Sequence, residues 1–332
     1  MPVKPAQHVD NFRIDGRLLG RRPHDPARRT LHLSRLLTGV VPDHPATVDH
    51  FGLIPPSRWG VLGNDRYSDC GPADIVHDRM LVAKYLGNQD GYPNTADALD
   101  LYKRSGNPGF PTEDNGVVMA DMLDVVHKQG VRNGSTYTQC VAYAQVNVQD
   151  LDEVHAAIAI FGSLSCGADL HKAQSDQTNN GEPWDYVSNS PDWGGHAFLV
   201  GRYSSDSRVG RPDLGGLTWG FPVGITDEFW IQQVQEAWVV IWPEHLTNRS
   251  FLTGVDQTAL ARDYKQLTDR DLPVLPAPAP LPTPSSQTIT AAQLAANQQL
   301  GTAARSWLRY AHTGVNGQLA QTLDSWVKAW GL

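Results

Sequence analysis

Cys70 is the side chain whose type and setting best suit covalent chemistry, and His196 is a histidine that could act as its base. A thiol attacks a carbonyl as its thiolate, and an imidazole can take the thiol proton and later return it to the leaving group. Cys70 opens a helical pattern, where the unpaired backbone N–H groups of the first turn favour a negative charge on sulfur. The pair is therefore a candidate nucleophile and base for the hydrolysis of peptide or other amide bonds.

Helical patterns precede strand patterns along the chain. The first convincing helix begins at Cys70 and ends near Gly87, and two more are predicted near 94–104 and 116–129. Asp114 or Asn115 is the predicted cap of the third helix. Capping-box spacing after residue 150 predicts another short helix that ends at residue 162. We expect these helices to form one part of the molecule.

Short segments rich in β-branched and aromatic residues follow these helices. They are the predicted strands 163–170, 196–203, 215–220 and 236–242. The candidate base His196 opens the second of them. Helices followed by strands, without regular alternation, indicate an α+β fold.

Several segments are similar to those of papain-like cysteine peptidases. GNDRYSDCGPA resembles the nucleophile loop of that family, in which an amide six residues before the cysteine helps to hold the oxyanion; Asn64 occupies this position. GGHAFLVGRY resembles the strand that carries the catalytic histidine, which implies that role for His196. Three further segments resemble family motifs in the expected order, PATVDHFGLIPPSRWG, EDNGVVMADMLDVVHKQGV and DEVHAAIAIFGSLSCGADL.

The resemblance covers about residues 45–242 and implies a papain-like fold with two lobes. A helical lobe would begin with the Cys70 helix, and a lobe of antiparallel strands would present His196. The substrate cleft would lie between the lobes. Catalysis would then use a Cys–His dyad, with Asn64 and backbone N–H groups stabilising the oxyanion.

The sequence departs from the family at the third catalytic position. LTWGFPVGITDEFW resembles the N-S-W-G segment, but Leu217 stands where the asparagine orients the histidine ring. Leucine cannot accept a hydrogen bond, so either a Cys–His dyad works without an orienting residue, or Thr218, Asp213 or Asp227 takes that role. The sequence does not choose among these alternatives.

Two tryptophans are predicted to form the wall of the cleft beside His196. Trp219 matches the tryptophan of N-S-W-G, which covers the polar contact behind the histidine in that family, and Trp193 precedes His196. The irregular spacing of Asp169, His171 and Asp185 does not match a metal site, and we predict neither a metal nor a cofactor.

The sequence divides into five parts by composition. We predict an extended basic arm over 1–44, a papain-like domain over 45–245, a connecting segment over 246–272, a Pro-rich linker over 273–287 and a pair of C-terminal helices over 288–332. The arm is expected to be solvated or docked on acidic protein. The arm and the C-terminal helices are the expected contacts of a protein assembly partner.

Charge and hydropathy narrow the classes of partner. The formal net charge of −8 argues against a general nucleic-acid binder, and no apolar run reaches the ~20 residues of a membrane span. The N-terminal residues lack the pattern of a secretory signal, so we expect a protein that is cytoplasmic when made. Peptides or proteins are the expected substrates.

Three functions follow from these observations. The leading one is a thiol hydrolase of the papain-like type. The alternative is a catalytically weakened papain-like protein that serves as a structural or binding component of a phage particle, since similar domains occur in phage and actinobacterial genomes. A third is a peptidoglycan amidase or cross-bridge peptidase, because the same dyad serves cell-wall hydrolysis.

Overall fold

The computed structural model describes residues 17–39, 41–87, 89, 91–204 and 213–272. The predicted Pro-rich linker over 273–287 and the helical pair over 288–332 lie outside the described residues, as do residues 1–16 of the predicted arm.

Helices and strands in the described part of the chain follow the predicted order, with additional elements. They are β1 (Leu31–His32), β2 (Thr47–Asp49), α1 (Cys70–Gly87), α2 (Thr95–Arg104), α3 (Met119–Gln129), β3 (Val131–Asn133), β4 (Thr136–Thr138), β5 (Ala142–Val146), α4 (Leu151–Phe161), β6 (Leu164–His171), α5 (Lys172–Asn180), β7 (Asp192–Ser204), β8 (Leu214–Thr218), β9 (Phe221–Ile225), α6 (Asp227–Gln233), β10 (Val234–Ile241), α7 (Arg249–Gly254) and α8 (Gln257–Thr268).

Helix α1 is the centre of the helical lobe. It begins at Cys70, and Pro72 stands in its first turn, where a missing N–H costs nothing because those groups have no helical partner. Ile75, Val76 and Leu81 are fully buried, which is worth about 1.5–3 kcal/mol for each side chain. The apolar faces of α2 and α3 pack in the same cluster. Helix α1 is therefore held firmly behind the cysteine.

The strand lobe is one large sheet. Its strands lie in the order β1-β5-β10-β6-β7-β8-β9, and β2 pairs with the far end of β7. The pairings within this sheet are antiparallel except that of β1 with β5. In the register of β6 and β7, Ala168 lies opposite His196. This arrangement confirms the predicted α+β class and places His196 in the interior of the sheet.

Buried carboxyl groups on α1 join the two lobes. Ser163 donates a hydrogen bond of 2.6 Å to Asp78, and the indole N–H of Trp242 donates one of 2.7 Å to the same carboxyl group. One helical turn away, Ser165 donates to Asp74. Each buried carboxyl group thus has hydrogen-bond donors from the strand lobe, which fixes α1 against β6.

The described part of the predicted arm is packed on the body of the protein. Leu19, Leu33 and Leu36 are each at most 1% exposed, and β1 joins the edge of the large sheet. The prediction of a solvated arm is therefore wrong for residues 17–39. Its leucines, rather than its arginines, determine where this stretch lies, because they bury apolar surface against the sheet.

Two further predictions are corrected. The connecting segment over 246–272 contains α7 and α8, with Phe251 and Leu260 fully buried. Helix α3 begins only at Met119, so neither Asp114 nor Asn115 is its cap. In the part of the chain that the structure describes, we find no helix with the length and apolar character of a membrane span.

Candidate active site

The loop before α1 fixes the position of Cys70. The backbone N–H of Ser68 donates to both carboxylate oxygens of Asp114, at 2.9 and 3.2 Å. Tyr102 donates its hydroxyl hydrogen to the same carboxylate. Asp114 therefore ties the nucleophile loop to the helical lobe. Sequence reasoning missed this role because 46 residues separate Asp114 from Ser68 and no local pattern links them.

His196 is fully buried on β7, and two contacts orient its ring. Nε2 lies 2.6 Å from the Oγ1 atom of Thr218. The ring of Trp219 stacks on the imidazole, with 4.3 Å between the centroids and 20° between the planes. Nδ1 is buried and has no hydrogen-bond partner among the described residues. When Nε2–H donates to Thr218, Nδ1 carries a lone pair that can accept a proton.

Thr218 is the one of the three candidate orienting residues that contacts the His196 ring. Asp213 and Asp227 lie at the opposite end of the β8–β9 hairpin, where Asp213 accepts a hydrogen bond of 3.3 Å from the backbone N–H of Asp227. Neither carboxylate contacts the imidazole, and both are removed from the set of candidates. Thr218 lies at the C-terminal end of β8, next to Trp219, which is why it reaches the ring.

The cleft wall beside His196 is built from stacked indole rings. Trp193 stacks on Trp219 with centroids 5.8 Å apart, and Trp184 meets Trp219 edge-on at 6.1 Å. Trp219 has a φ of 46°, a left-handed conformation that costs energy for a residue with a bulky side chain. The sequence pointed to Trp219 and Trp193 but not to Trp184, which lies in a loop.

The thiol of Cys70 lies next to the strand that carries His196. The backbone N–H of Ala197, the residue after His196, lies near the sulfur and acts to lower the pKa of the thiol. This contact stabilises a thiolate, as does the start of α1. The fold therefore brings the cysteine and the histidine-bearing strand together from positions far apart in the sequence.

In this structure the Cys70 thiol and the His196 imidazole are both neutral at pH 7. Burial raises the pKa of Cys70 to about 12, despite the N–H of Ala197, and the nearby carboxyl groups of Asp69 and Asp74 act in the same direction as burial. Burial likewise lowers the pKa of His196 to about 3. A thiolate–imidazolium pair would need water or compensating charges at the site. The reactivity of Cys70 and His196 therefore depends on whether water reaches them.

Asn64 lies in the loop before Cys70 and is 2% exposed. Its amide donates a hydrogen bond of 3.0 Å to the backbone carbonyl of Tyr67. Burial raises the pKa of the neighbouring Asp69 carboxyl group well above its usual range, and Asn64 slightly opposes that effect. In this structure the Asn64 amide therefore stabilises its own loop, and its role toward an oxyanion stays a prediction.

Residues 17–22, here called the cleft segment, lie between the two lobes. On the helical side, the carbonyl oxygen of Gly20 accepts a hydrogen bond of 2.8 Å from Val117 N–H, and Arg22 N–H donates one of 2.7 Å to the Val117 carbonyl. The backbone N–H of Leu18 donates to the carbonyl oxygen of Asn64 at 3.2 Å. The cleft segment therefore pairs with the helical lobe as an added strand does.

The cleft segment is also held on the strand side. The backbone N–H groups of Gly20 and Arg21 donate to the carbonyl oxygen of Gly195 at 3.2 and 3.0 Å. The indole N–H of Trp219 donates to the carbonyl oxygen of Leu18 at 3.2 Å. These contacts cover the residue before His196 and the tryptophan stacked on it. The cleft segment thus lies across the junction of the two lobes, beside the strand that carries His196.

The other two cysteines and two further histidines make structural contacts away from the candidate site. Cys140 and Cys166 are buried and free, and burial is the main cause that raises the pKa of each thiol. His77 Nε2 contacts the carbonyl oxygen of Gly60 at 2.9 Å. His127 lies between the Cys140 carbonyl and the hydroxyl of Tyr264. These side chains are separate from the candidate site.

Comparisons with known proteins establish the fold. No protein-family model matches the chain, and no curated protein shows a significant sequence match. Among solved structures, xylellain, a cysteine protease from Xylella fastidiosa, is 18% identical, with a TM-score of 0.53 over 69% of this chain and 98% of its own. Procathepsin B S9 from Trypanosoma congolense is 11% identical, with a TM-score of 0.51 over 71% and 89%. The chain has a papain-like fold.

Proposed function

We propose that the protein is a cysteine peptidase that uses Cys70 as nucleophile and His196 as base. The observation that carries this proposal is the setting of the two groups within a papain-like fold. The thiol stands at the start of α1 against Ala197, while His196 presents a buried Nδ1 atom without a partner and has its other nitrogen held by Thr218. Transfer of the thiol proton to the imidazole needs a ring nitrogen with a free lone pair, and Nδ1 can supply it.

The proposed reaction begins with a proton transfer within the dyad and proceeds through an acyl-enzyme. His196 Nδ1 takes the proton of the Cys70 thiol, and the sulfur forms a bond to the carbonyl carbon of the substrate. Negative charge then moves to the carbonyl oxygen, where the backbone N–H of Cys70 and a reoriented Asn64 amide would stabilise it. The C–N bond breaks as the imidazolium returns the proton to the amine. Water, deprotonated by His196, then forms a bond to the acyl carbon; the C–S bond breaks, the carboxylic acid leaves, and the imidazolium returns the proton to the Cys70 sulfur.

In this proposal the closed structure is a latent form. The cleft segment excludes substrate, and it also excludes the water that would stabilise a thiolate–imidazolium pair. Displacing the segment would rehydrate Cys70 and His196 and shift both pKa values back toward their ordinary range. Thr218 replaces the orienting asparagine of the family, because its hydroxyl group can accept the hydrogen bond that Leu217 cannot.

Turnover of an unfolded protein by an opened variant tests the proposal. Gly20→Ala should open the cleft, since a Cβ atom at residue 20 would lie 1.9 Å from the carbonyl oxygen of Ser68. We expect the full-length variant to cleave carboxymethylated casein, and Cys70→Ala in the same background to abolish cleavage. Cleavage that persists without Cys70, or no cleavage by a variant shown to be folded and open, would contradict the proposal. The second outcome would favour the alternative of a structural or binding protein.

A further inference from the structure

The side chain of Arg21 fills a pocket in the floor of the cleft. Only 2% of this side chain is exposed. Gly167 on β6 makes the space, because a Cβ atom there would lie 2.4 Å from Arg21 Nε and 2.9 Å from Glu236 Cγ. In the sheet, Gly167 pairs with Ala197 and Asp169 pairs with Gly195. Arg21 therefore lies on the face of the sheet that carries Gly195 and Ala197, the two residues that flank His196.

Two carboxylates give the pocket its charge. Arg21 Nε lies 2.8 Å from Glu236 Oε1, and Nη1 lies 2.8 Å from Asp169 Oδ1. The side chain of Glu236 is fully buried, and the indole N–H of Trp238 donates to its other oxygen at 2.8 Å. A buried carboxylate that loses its cation is costly, by several kcal/mol in typical cases. Removing Arg21 would leave Glu236 with His24, whose Nδ1 lies 3.4 Å from Oε2, as its remaining basic neighbour.

We propose that this acidic pocket binds the guanidinium group of an arginine in the substrate, once the cleft segment has left. The inference rests on the proposed peptidase function and specifies its substrate. Arg21 shows the geometry that the pocket accepts, with two different carboxylates engaging Nε and Nη1 of one guanidinium plane. Lysine carries a single nitrogen and cannot meet both carboxylates with this geometry. Peptides that carry an arginine near the scissile bond are the expected substrates.

Matched peptides test the proposal in the Gly20→Ala background. Three fluorogenic peptides differ only by Arg, Lys or Leu at the varied position, which is set from the casein cleavage sites. We expect kcat/KM for the Arg peptide to exceed that for the Leu peptide by at least about 30-fold, with Lys between them. Glu236→Gln should shrink the Arg-to-Leu ratio at least tenfold. Glu244→Gln, which removes a carboxylate paired with Arg79 elsewhere, should keep the ratio. Equal rates for Arg and Leu would overturn the inference.

A binding measurement keeps the inference testable if no peptide is cleaved. A synthetic peptide of residues 15–24 is titrated into the full-length Gly20→Ala, Cys70→Ala protein, beside a second peptide with Arg21 replaced by Leu. At least tenfold tighter binding of the Arg peptide, reduced by Glu236→Gln, supports the pocket even if the peptidase proposal fails. Equal affinities would refute the pocket whatever the catalytic result.

A second, independent observation concerns a cluster at the opposite end of β7. His44, Asp152 and His155 each bring one ligand atom to within 4.8 Å of the others. Asp152 and His155 are three residues apart on α4, so they share one face of the helix. His155 is 8% exposed, and its Nε2 is buried without a hydrogen-bond partner among the described residues. Its ring stacks on Tyr203, with centroids 4.3 Å apart.

We infer that these three side chains bind a divalent transition-metal ion of the zinc class. Two imidazoles and one carboxylate are a ligand set that Zn²⁺ accepts, with a fourth position for water. Tyr203 stands seven residues after His196 on β7, which places the cluster about 23 Å from the candidate base. The ion would therefore connect the segment before β2 to helix α4 and would not take part in the dyad. Sequence spacing did not indicate it because His44 is distant from the other two.

Zinc titration of the full-length Cys70→Ala protein tests this site, since that change removes the thiol as a competing ligand. We expect one equivalent to bind with a Kd of about 10 µM or tighter by calorimetry. Asp152→Asn, at an exposed position, and His155→Phe, which keeps the stacking on Tyr203, should each weaken binding at least tenfold. His32→Asn changes an exposed histidine outside the cluster and should have no effect. No binding at 100 µM zinc, or equal binding by Asp152→Asn, would overturn the inference.

Discussion

Opening the cleft by a single methyl group is the prediction that the structure specifies in most detail. A Cβ atom at residue 20 would lie 1.9 Å from the carbonyl oxygen and 2.5 Å from the carbonyl carbon of Ser68. Those atoms belong to the backbone of the nucleophile loop, which Asp114 holds through Ser68 N–H. The backbone of Ser68 therefore cannot easily move away from the added methyl group. Gly20→Ala must instead move the cleft segment.

The expected magnitude follows from the contacts that Gly20 makes. Its N–H bonds to Gly195 and its carbonyl accepts from Val117, and losing both hydrogen bonds costs about 1–3 kcal/mol. Overpacking against fixed atoms typically adds about 1–3 kcal/mol. A destabilisation of the closed form by about 3 kcal/mol raises the ratio of open to closed form roughly 100-fold. The labelling rate of Cys70 should rise by the same factor.

Alkylation by iodoacetamide, followed residue by residue with mass spectrometry, measures this change. Cys140 and Cys166 are buried in the core and should stay unreactive in both proteins, which distinguishes opening of the cleft from unfolding. Gly52→Ala is the matched control, because a Cβ atom there meets nothing within 4 Å. A Cys70 rate within about threefold of the wild-type rate would refute the account of the cleft segment.

Two further predictions concern the dyad and the junction between the lobes. Thr218→Val in the Gly20→Ala background should lower kcat/KM for casein-derived peptides about 10- to 100-fold, because the His196 ring is then free to turn. The control, Asp227→Asn, should change kcat/KM less than about twofold. Equal losses in both variants would show that the effect is not specific to orientation of the ring. Burial raises the pKa of Asp78 from 3.8 to about 6, so the folded state binds a proton more tightly than the unfolded state does. The protein should therefore lose up to about 3 kcal/mol of stability as pH rises from about 4 to 6. Asp78→Asn should flatten this part of the profile in urea unfolding at several pH values, and an unchanged slope would contradict the assignment.

The sequence predicted the elements that carry the dyad because their signals are local. Pro72 and Gly87 delimit α1, and α1 spans Cys70–Gly87 as predicted. The Asp150 side chain caps α4 by accepting a hydrogen bond of 3.2 Å from Glu153 N–H, as the capping-box spacing indicated. The family resemblance then supplied the pairing of two distant segments, which spacing alone could not give.

The parts that the sequence missed depend on contacts between distant residues. Arg21 looked like one charge of a basic arm, yet it pairs with Glu236, a residue 215 positions later. Gly20 had no local signal, since the need for glycine comes from the Ser68 carbonyl and not from a turn. Similarly, the choice of Thr218 over Asp213 required the register of the β8–β9 hairpin, in which Thr218 lies opposite Phe221.

The pH dependence of Cys70 alkylation in the opened protein tests the central claim most directly. In Gly20→Ala the rate should titrate with a pKa well below the ordinary value of about 8.5, and His196→Ala in the same background should raise that pKa by at least about one unit. A Cys70 that titrates at 8.5 or above in the open protein, and does so equally without His196, would contradict the claim that the two residues act together.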